Sequence, residues 1–308
     1  MVIQRFLDYI AIERKYSNRT VEAYRDDLRD FCKYLNLAPE EYDPKIVDES
    51  DIRGWLIELL DEGHSPRSIK RYLSSLRSFY KFMLRVGIVD KDITRKIVSP
   101  KEDKPLPVFF RESEMQEAIA YETQADDFES VRNCLIIEML YQTGMRQAEM
   151  LGLTDSDIDL VQGQIRIFGK RKKERIVPVG EALVNQIKDY LAARQQLGSV
   201  SNFFVRVKPN GEVVSMDKGT LYKIVRTRMR EVSTLKKVSP HVLRHTFATT
   251  MLNNGADIRT IQSLMGHASL AATQVYTHTT FEQVRKAYEQ AHPRAKNKNK
   301  SRNTGKPE

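Results

Sequence analysis

The chain has 308 residues, long enough for two domains that each bury a core. Hydrophobic residues at 41% and charged residues at 30% give a soluble globular balance, and no apolar run approaches the roughly 20 residues of a membrane span. A net charge of +9 suits a polyanionic partner, although many basic proteins carry such an excess without binding nucleic acid.

The first residues, MVIQRFLDYIAIERKYS, are broken by Arg5, Asp8, Glu13 and Arg14, which argues against a signal peptide or membrane anchor. Residues 1–92 read as a helical domain. Between 17 and 36, Val21, Tyr24, Leu28, Phe31, Cys32 and Leu35 recur at helical spacing. Ser65 and Pro66 make an N-cap and first-position pair. The helix they open turns Ile69, Leu73, Leu76, Phe79, Tyr80 and Met83 toward a core. Arg67, Lys70, Arg77, Lys81 and Arg85 fall outside that apolar face, and no acid lies between residues 65 and 87. A solvated basic face and a phosphate-contacting face both have this pattern. The lack of acids favours the second, so these five residues are candidate DNA contacts.

Residues 93–107 contain three prolines (Pro100, Pro105 and Pro107) and mixed charge, and are expected to form a linker. A second, mixed α/β domain is expected over 108–290. Helical patterns run through Leu153. Residues 164–168 and 174–179 look like paired strands around the turn 169–173, and a second hairpin is expected around Asn210-Gly211. From Ser239 the pattern is helical again. Residues 291–308 are expected to be a disordered basic tail. Cys32 and Cys134 stand far apart, with neither a metal-ligand nor a disulfide pattern, which suits a reducing, cytoplasmic setting.

The chemistry concentrates late in the chain. In SPHVLRH, Ser239 and Pro240 open a helix whose free N–H groups favour a phosphate. His241 and Arg244, three apart, share a face. Arg can bind two phosphate oxygens with its fork, and His can move a proton near neutral pH. His241 and His245 have a possible zinc spacing. However, HVLRH lacks the glutamate of a metalloprotease helix, and no cysteine pair accompanies it. No glycine-rich lysine loop points to nucleotide use. Downstream, LMGHASLAATQVYTH places His267 after the helix-ending Gly266, with Tyr276 nine residues further on. A lone tyrosine there would ordinarily be a core or interface aromatic.

Taken together, TGMRQAEMLGL, HVLRHTFAT and LMGHASLAATQVY, in this order and spacing, resemble the three signature boxes of the tyrosine recombinase (phage integrase-like) family. The resemblance extends over residues 1–290. GKRKKERIVPV and NNGADIRTIQSLMGH are similar to the bacterial XerC/XerD branch, whose members resolve chromosome dimers. The resemblance implies a mostly α fold with a small antiparallel sheet: an N-terminal core-binding domain of four or five helices, SAM-like, and a mixed α/β catalytic domain, together forming a C-shaped clamp on DNA. It implies that Tyr276 is the nucleophile and that Arg146 and Arg244 clamp the scissile phosphate. His241 and His267 complete the site, Lys170 protonates the leaving 5′-oxygen, and Glu149 supports the site. The chain departs from the family pattern at Arg171, where members tend to carry glycine, and Lys172 and Lys173 crowd the same turn.

The implied reaction leaves a 3′-phosphotyrosine, passes through a four-way junction, and uses no metal and no nucleotide cofactor. The implied partners are a double-stranded recombination site, a homo- or hetero-tetramer with a second Xer-type recombinase, and an FtsK-type DNA translocase. The helix after Tyr276, with Val284 and Tyr288, is implied to dock on a neighbouring subunit. A chain that starts at its first core-binding helix, with no arm-binding domain, favours a housekeeping role over that of a mobile-element integrase or invertase. A type IB topoisomerase would share the chemistry but relax DNA without a cognate site. A non-catalytic DNA-binding protein would share the fold but lack some of the site residues.

Overall fold

After the first helix, helix starts in the first hundred residues coincide with side chains that accept an orphan backbone N–H. A computed structural model describes residues 1–101, 108–120, 127–169, 174–198, 200–266 and 278–295. They divide into two units, Met1–Pro105 and Leu106–Glu308. In the first, α1 (Val2–Asp8) widens into a π-helical turn over Tyr9–Glu13. Ser17 caps α2 (Asn18–Tyr34), Asp48 caps α3 (Glu49–Asp61) and Ser65 caps α4 (Pro66–Arg85), each accepting a first-turn backbone N–H. Phe6, Phe31, Trp55, Leu76 and Phe79 meet in one core. The apolar face expected of α4 is buried throughout, and Arg67, Lys70, Arg77, Lys81 and Arg85 lie exposed on the other side. Buried Asp27 pairs with Arg71, tying α2 to α4.

Residues 93–97, expected in the linker, pack into this unit. Ile97 is buried, and its carbonyl accepts from Arg77 Nη2 at 2.6 Å. Thr94 is also buried. Two isolated positions among charged residues make no readable period, so composition alone points to a linker.

The second unit is built around α6 (Phe128–Thr143), in which every residue from Cys134 to Thr143 is buried. A helix apolar on nearly all sides has to sit inside the core. Packed against it are α5 (Glu112–Ala120), α8 (Glu181–Gln195), α9 (Lys218–Val232) and α10 (Pro240–Asn253). A three-stranded antiparallel sheet runs in the order β1 (Ile158–Asp159), β2 (Gln164–Phe168), β3 (Glu174–Pro178), with Ile165 opposite Val177 and Ile167 opposite Arg175. The second hairpin is β4 (Val205–Val207) with β5 (Val213–Ser215). Two short helices, α7 (Gln147–Leu151) and α11 (Ile258–Met265), precede the last, α12 (His278–Ala291).

Two expectations about the C-terminus are corrected. The apolar face of α12 packs on its own chain, against α10, α11 and β3. Val284 and Tyr288 are buried there, and the Tyr288 hydroxyl donates to Gln142 Oε1 at 3.1 Å. The anchors anticipated for a neighbouring subunit thus fill a groove in this one. Nor does the expected tail begin at 291. Ala291 and His292 are buried, Asn254 Nδ2 donates to the Ala291 carbonyl at 2.8 Å, and Arg294 Nε pairs with buried Glu138 at 2.8 Å. A basic, weakly apolar composition concealed one aromatic and one salt-bridged anchor.

Candidate active site

A left-handed turn brings the first arginine into place. Gly144 ends α6 at φ 58°, and its N–H donates to the Leu140 carbonyl at 3.1 Å. A Cβ at this position would run into the Phe247 ring, so glycine is required both by backbone angle and by space. Arg146 follows in extended conformation as the N-cap of α7, its backbone N–H donating to Glu149 Oε2 at 2.8 Å. Arg146 Nη1 also reaches Glu149 Oε1 at 2.7 Å, so one carboxylate grips Arg146 by backbone and side chain. Arg146 itself is 40% exposed and Glu149 is 5% exposed.

Arg244 comes from the first turns of α10, where Pro240 occupies the first helical position. It is buried, and it donates to the Gly144 carbonyl at 2.6 Å and the Met265 carbonyl at 2.7 Å. Burial, with Arg146 and Arg175 nearby, pulls its pKa down to about 10, so it is still a cation at neutral pH. His241 is exposed on the first turn of the same helix.

Sequence reasoning missed a third guanidinium. Arg175 on β3 is buried, donating from Nη2 to Glu149 Oε2 at 2.7 Å and from Nε to the Leu264 carbonyl at 2.7 Å. The available signal was the strand period, which puts Arg175 on the inward face with Val177. Burial pushes the Glu149 carboxyl up. Hydrogen bonding and charge from Arg175, joined by Arg146, outweigh it and hold the group below its ordinary value.

The three arginines converge on the end of α11. Its last carbonyls have no helical partner, and Leu264, Met265 and Gly266 accept in turn from Arg175, Arg244 and Arg146, the last at 3.5 Å. Gly266 closes the helix at φ 62°. Three cations share one carboxylate among the described residues, which leaves the cluster net positive and suited to an anion. Among those residues no group of three or more His, Cys, Asp or Glu side chains is placed to hold a metal ion.

The structure therefore brings together Arg146, Glu149 and Arg244. His241 shares a helix with Arg244. Lys170, His267 and Tyr276 lie outside the described residues. In the N-terminal unit, Arg67, Lys70 and Lys81 make no hydrogen bond or ion pair among the described residues. Arg77 is held to the Ile97 carbonyl, and Arg85 to the Tyr9 hydroxyl at 2.7 Å.

Comparison with known proteins covers both units. Residues 109–283 match the phage integrase family, and residues 3–87 match the phage integrase N-terminal SAM-like domain. Tyrosine recombinase XerC of Listeria innocua is 39% identical over 296 residues, covering 95% of this chain and 97% of its own. Tyrosine recombinase XerD of Oceanobacillus iheyensis is 36% identical over 294 residues, covering 95% and 98%. Among solved structures, the XerH site-specific recombinase bound to a palindromic difH substrate matches with a TM-score of 0.68 and 24% identity, covering 90% of this chain and 81% of that one. At that identity the match is one of fold. No helix among the described residues is long and apolar enough to cross a membrane.

Proposed function

The chain belongs to the phage integrase family and is a tyrosine-type site-specific recombinase acting on DNA, and from that premise we propose how its residues divide the work. Arg146 and Arg244 bind the scissile phosphate, Tyr276 attacks the phosphorus as its phenol proton passes to His241, and the bond to the 5′-oxygen breaks. Lys170 gives that oxygen its proton. His241 and His267 complete the site, and Glu149 fixes Arg146. The product is a 3′-phosphotyrosine and a free 5′-hydroxyl.

The observation that carries this reading is the convergence of Arg146 and Arg244 on the Gly266 and Met265 carbonyls, immediately before His267 in the chain. Phosphodiesters resist attack because they are anionic, and a net positive, largely desolvated cluster offsets that charge where it grows. A phenol, with a pKa of ~10, leaves more readily than an alkyl alcohol, so the phosphotyrosyl bond stays reactive enough for a 5′-hydroxyl to reseal the strand. No step requires a metal or nucleotide.

The finer reading follows from resemblance to the XerC/XerD branch. The chain acts in a tetramer on paired sites, with itself or a second Xer-type recombinase, under an FtsK-type translocase, and resolves chromosome or plasmid dimers in the cytoplasm. Both XerC and XerD relatives align over nearly its full length at similar identity. In the same reading Arg67, Lys70, Arg77, Lys81 and Arg85 contact DNA phosphates.

The test uses nicked candidate-site DNA, from which the short 5′ fragment diffuses away and traps the cleaved state. Wild type and Tyr276→Phe are incubated with it in EDTA and run on a denaturing gel. The expected result is a shifted protein–DNA band in the wild type alone, with equal DNA binding by both. A band of equal strength from Tyr276→Phe would remove the proposed nucleophile.

A further inference from the structure

Arg175 is buried, yet burial of an ion pair is weak support for stability, because well-packed apolar side chains often do as well or better. Its position suggests another use. It joins three separate elements, reaching from β3 to Glu149 on α7 and to the Leu264 carbonyl at the end of α11. Each of these touches the phosphate clamp. Glu149 holds Arg146, and the next two carbonyls of α11 take Arg244 and Arg146.

Without Arg175, one oxygen of Glu149 would keep only the Arg146 backbone N–H as a partner, and the carboxylate could swing. Arg146, being 40% exposed, would swing with it. The end of α11 would lose its hydrogen bond at Leu264, just upstream of His267 in the chain. Gly266 fits the same arrangement. A Cβ there would lie 3.0 Å from Arg175 Nη1, on a backbone at φ +62° that already disfavours a side chain.

We propose that Arg175 is a positioning residue for strand cleavage: through Glu149 it fixes Arg146, and through the Leu264 carbonyl it fixes the end of α11, so that both clamp arginines meet the phosphate in one geometry. The inference rests on the phosphate-clamp reading given above. It requires the guanidinium fork and not merely a positive charge, because the two acceptors lie on different elements and are taken by different nitrogens. Lysine has one nitrogen on a flexible stem and cannot reproduce both bonds in that geometry.

The experiment compares wild type with Arg175→Lys, Arg175→Met, Glu149→Gln and the double variant Arg175→Lys/Glu149→Gln, with Arg146→Ala alongside. Single-turnover cleavage of the nicked site is measured at saturating protein, and DNA affinity and the thermal midpoint are measured separately. Misplacing a clamp residue by about an ångström predicts a cleavage rate roughly 100-fold lower for both Arg175 variants, with DNA affinity within about threefold of wild type. The double variant should lose less than the product of the two single losses, since both single changes remove the Arg175–Glu149 contact. Wild-type cleavage by Arg175→Lys, losses that multiply in the double variant, or variants that do not fold would each overturn the proposal. If Arg146→Ala also cleaves normally, the clamp reading itself fails; if Arg146→Ala is inactive while Arg175→Lys is active, only the role of Arg175 does.

Discussion

His292 gives the fold a specific weakness toward acid. Its ring is fully buried, stacked on Tyr288 at 5.2 Å and tilted against Tyr141 at 5.0 Å. The Arg294 N–H donates to Nδ1 at 3.2 Å, so Nε2 carries the proton and faces the Tyr141 carbonyl at 3.3 Å. Burial, with a smaller push from the Arg294 charge, lowers its pKa from 6.5 to about 3. A base with a lowered folded pKa stays neutral in the fold, whereas the unfolded chain gains a proton as soon as the pH drops below 6.5. Stability is therefore lost as the pH falls from 6.5 toward 3, at about 1.4 kcal/mol per unit from this group alone. At pH 5 the loss is about 2 kcal/mol, a sizeable share of the roughly 5–15 kcal/mol that holds a domain together. His292→Phe keeps the ring contacts but leaves the Tyr141 carbonyl and Arg294 N–H unpaired, which costs about 1–3 kcal/mol at pH 8. The gap between the two proteins should shrink as the pH falls and close near pH 5. Urea unfolding of the full chain by circular dichroism at several pH values measures it. Trp55, the one tryptophan, lies in the first unit, and its fluorescence serves as an internal reference. Glu138, which pairs with Arg294, is common to both proteins. A gap that stays constant from pH 8 to pH 5 would refute the reasoning.

Gly144→Ala should destabilise the second unit by about 2–4 kcal/mol, from a left-handed backbone and overpacking against Phe247, as measured by urea denaturation. Arg244→Ala should retain most DNA affinity while cleavage falls by about 100-fold or more, seen in single-turnover assays; equal losses of both would count against the clamp. Changing Arg67, Lys70 and Lys81 together to Ala should lower the slope of log affinity against log salt by roughly 2–3, at nearly unchanged cleavage rate at saturation. A change of fewer than one unit would mean that this face is merely solvated.

Much of the architecture was legible because its causes are local. Ser65-Pro66 announces α4, alternation in residues 164–168 announces β2, and Gly266 marks a helix end by the backbone angle that glycine adopts readily, whereas the break at Gly144 was passed over in a helical pattern read through Leu153. The two clamp arginines were legible from box order and spacing. What escaped depends on contacts remote in sequence. Arg175 sits within a basic stretch, where nothing distinguishes a buried guanidinium from a solvated one; its acceptors are 26 and 89 residues away. The cis docking of α12 was hidden because an amphipathic helix states that it has a partner without saying which. His292 and Arg294 were read as tail because isolated anchors make no period.

The most direct measurement is the mass of the peptide that remains bound to DNA. The trapped complex is made in EDTA, digested with trypsin and nuclease, and sequenced by tandem mass spectrometry. The expected adduct is a nucleotide 3′-phosphate on Tyr276, within the peptide spanning residues 260–285. An adduct on any other residue, or covalent joining that disappears on chelation, would contradict the proposed chemistry.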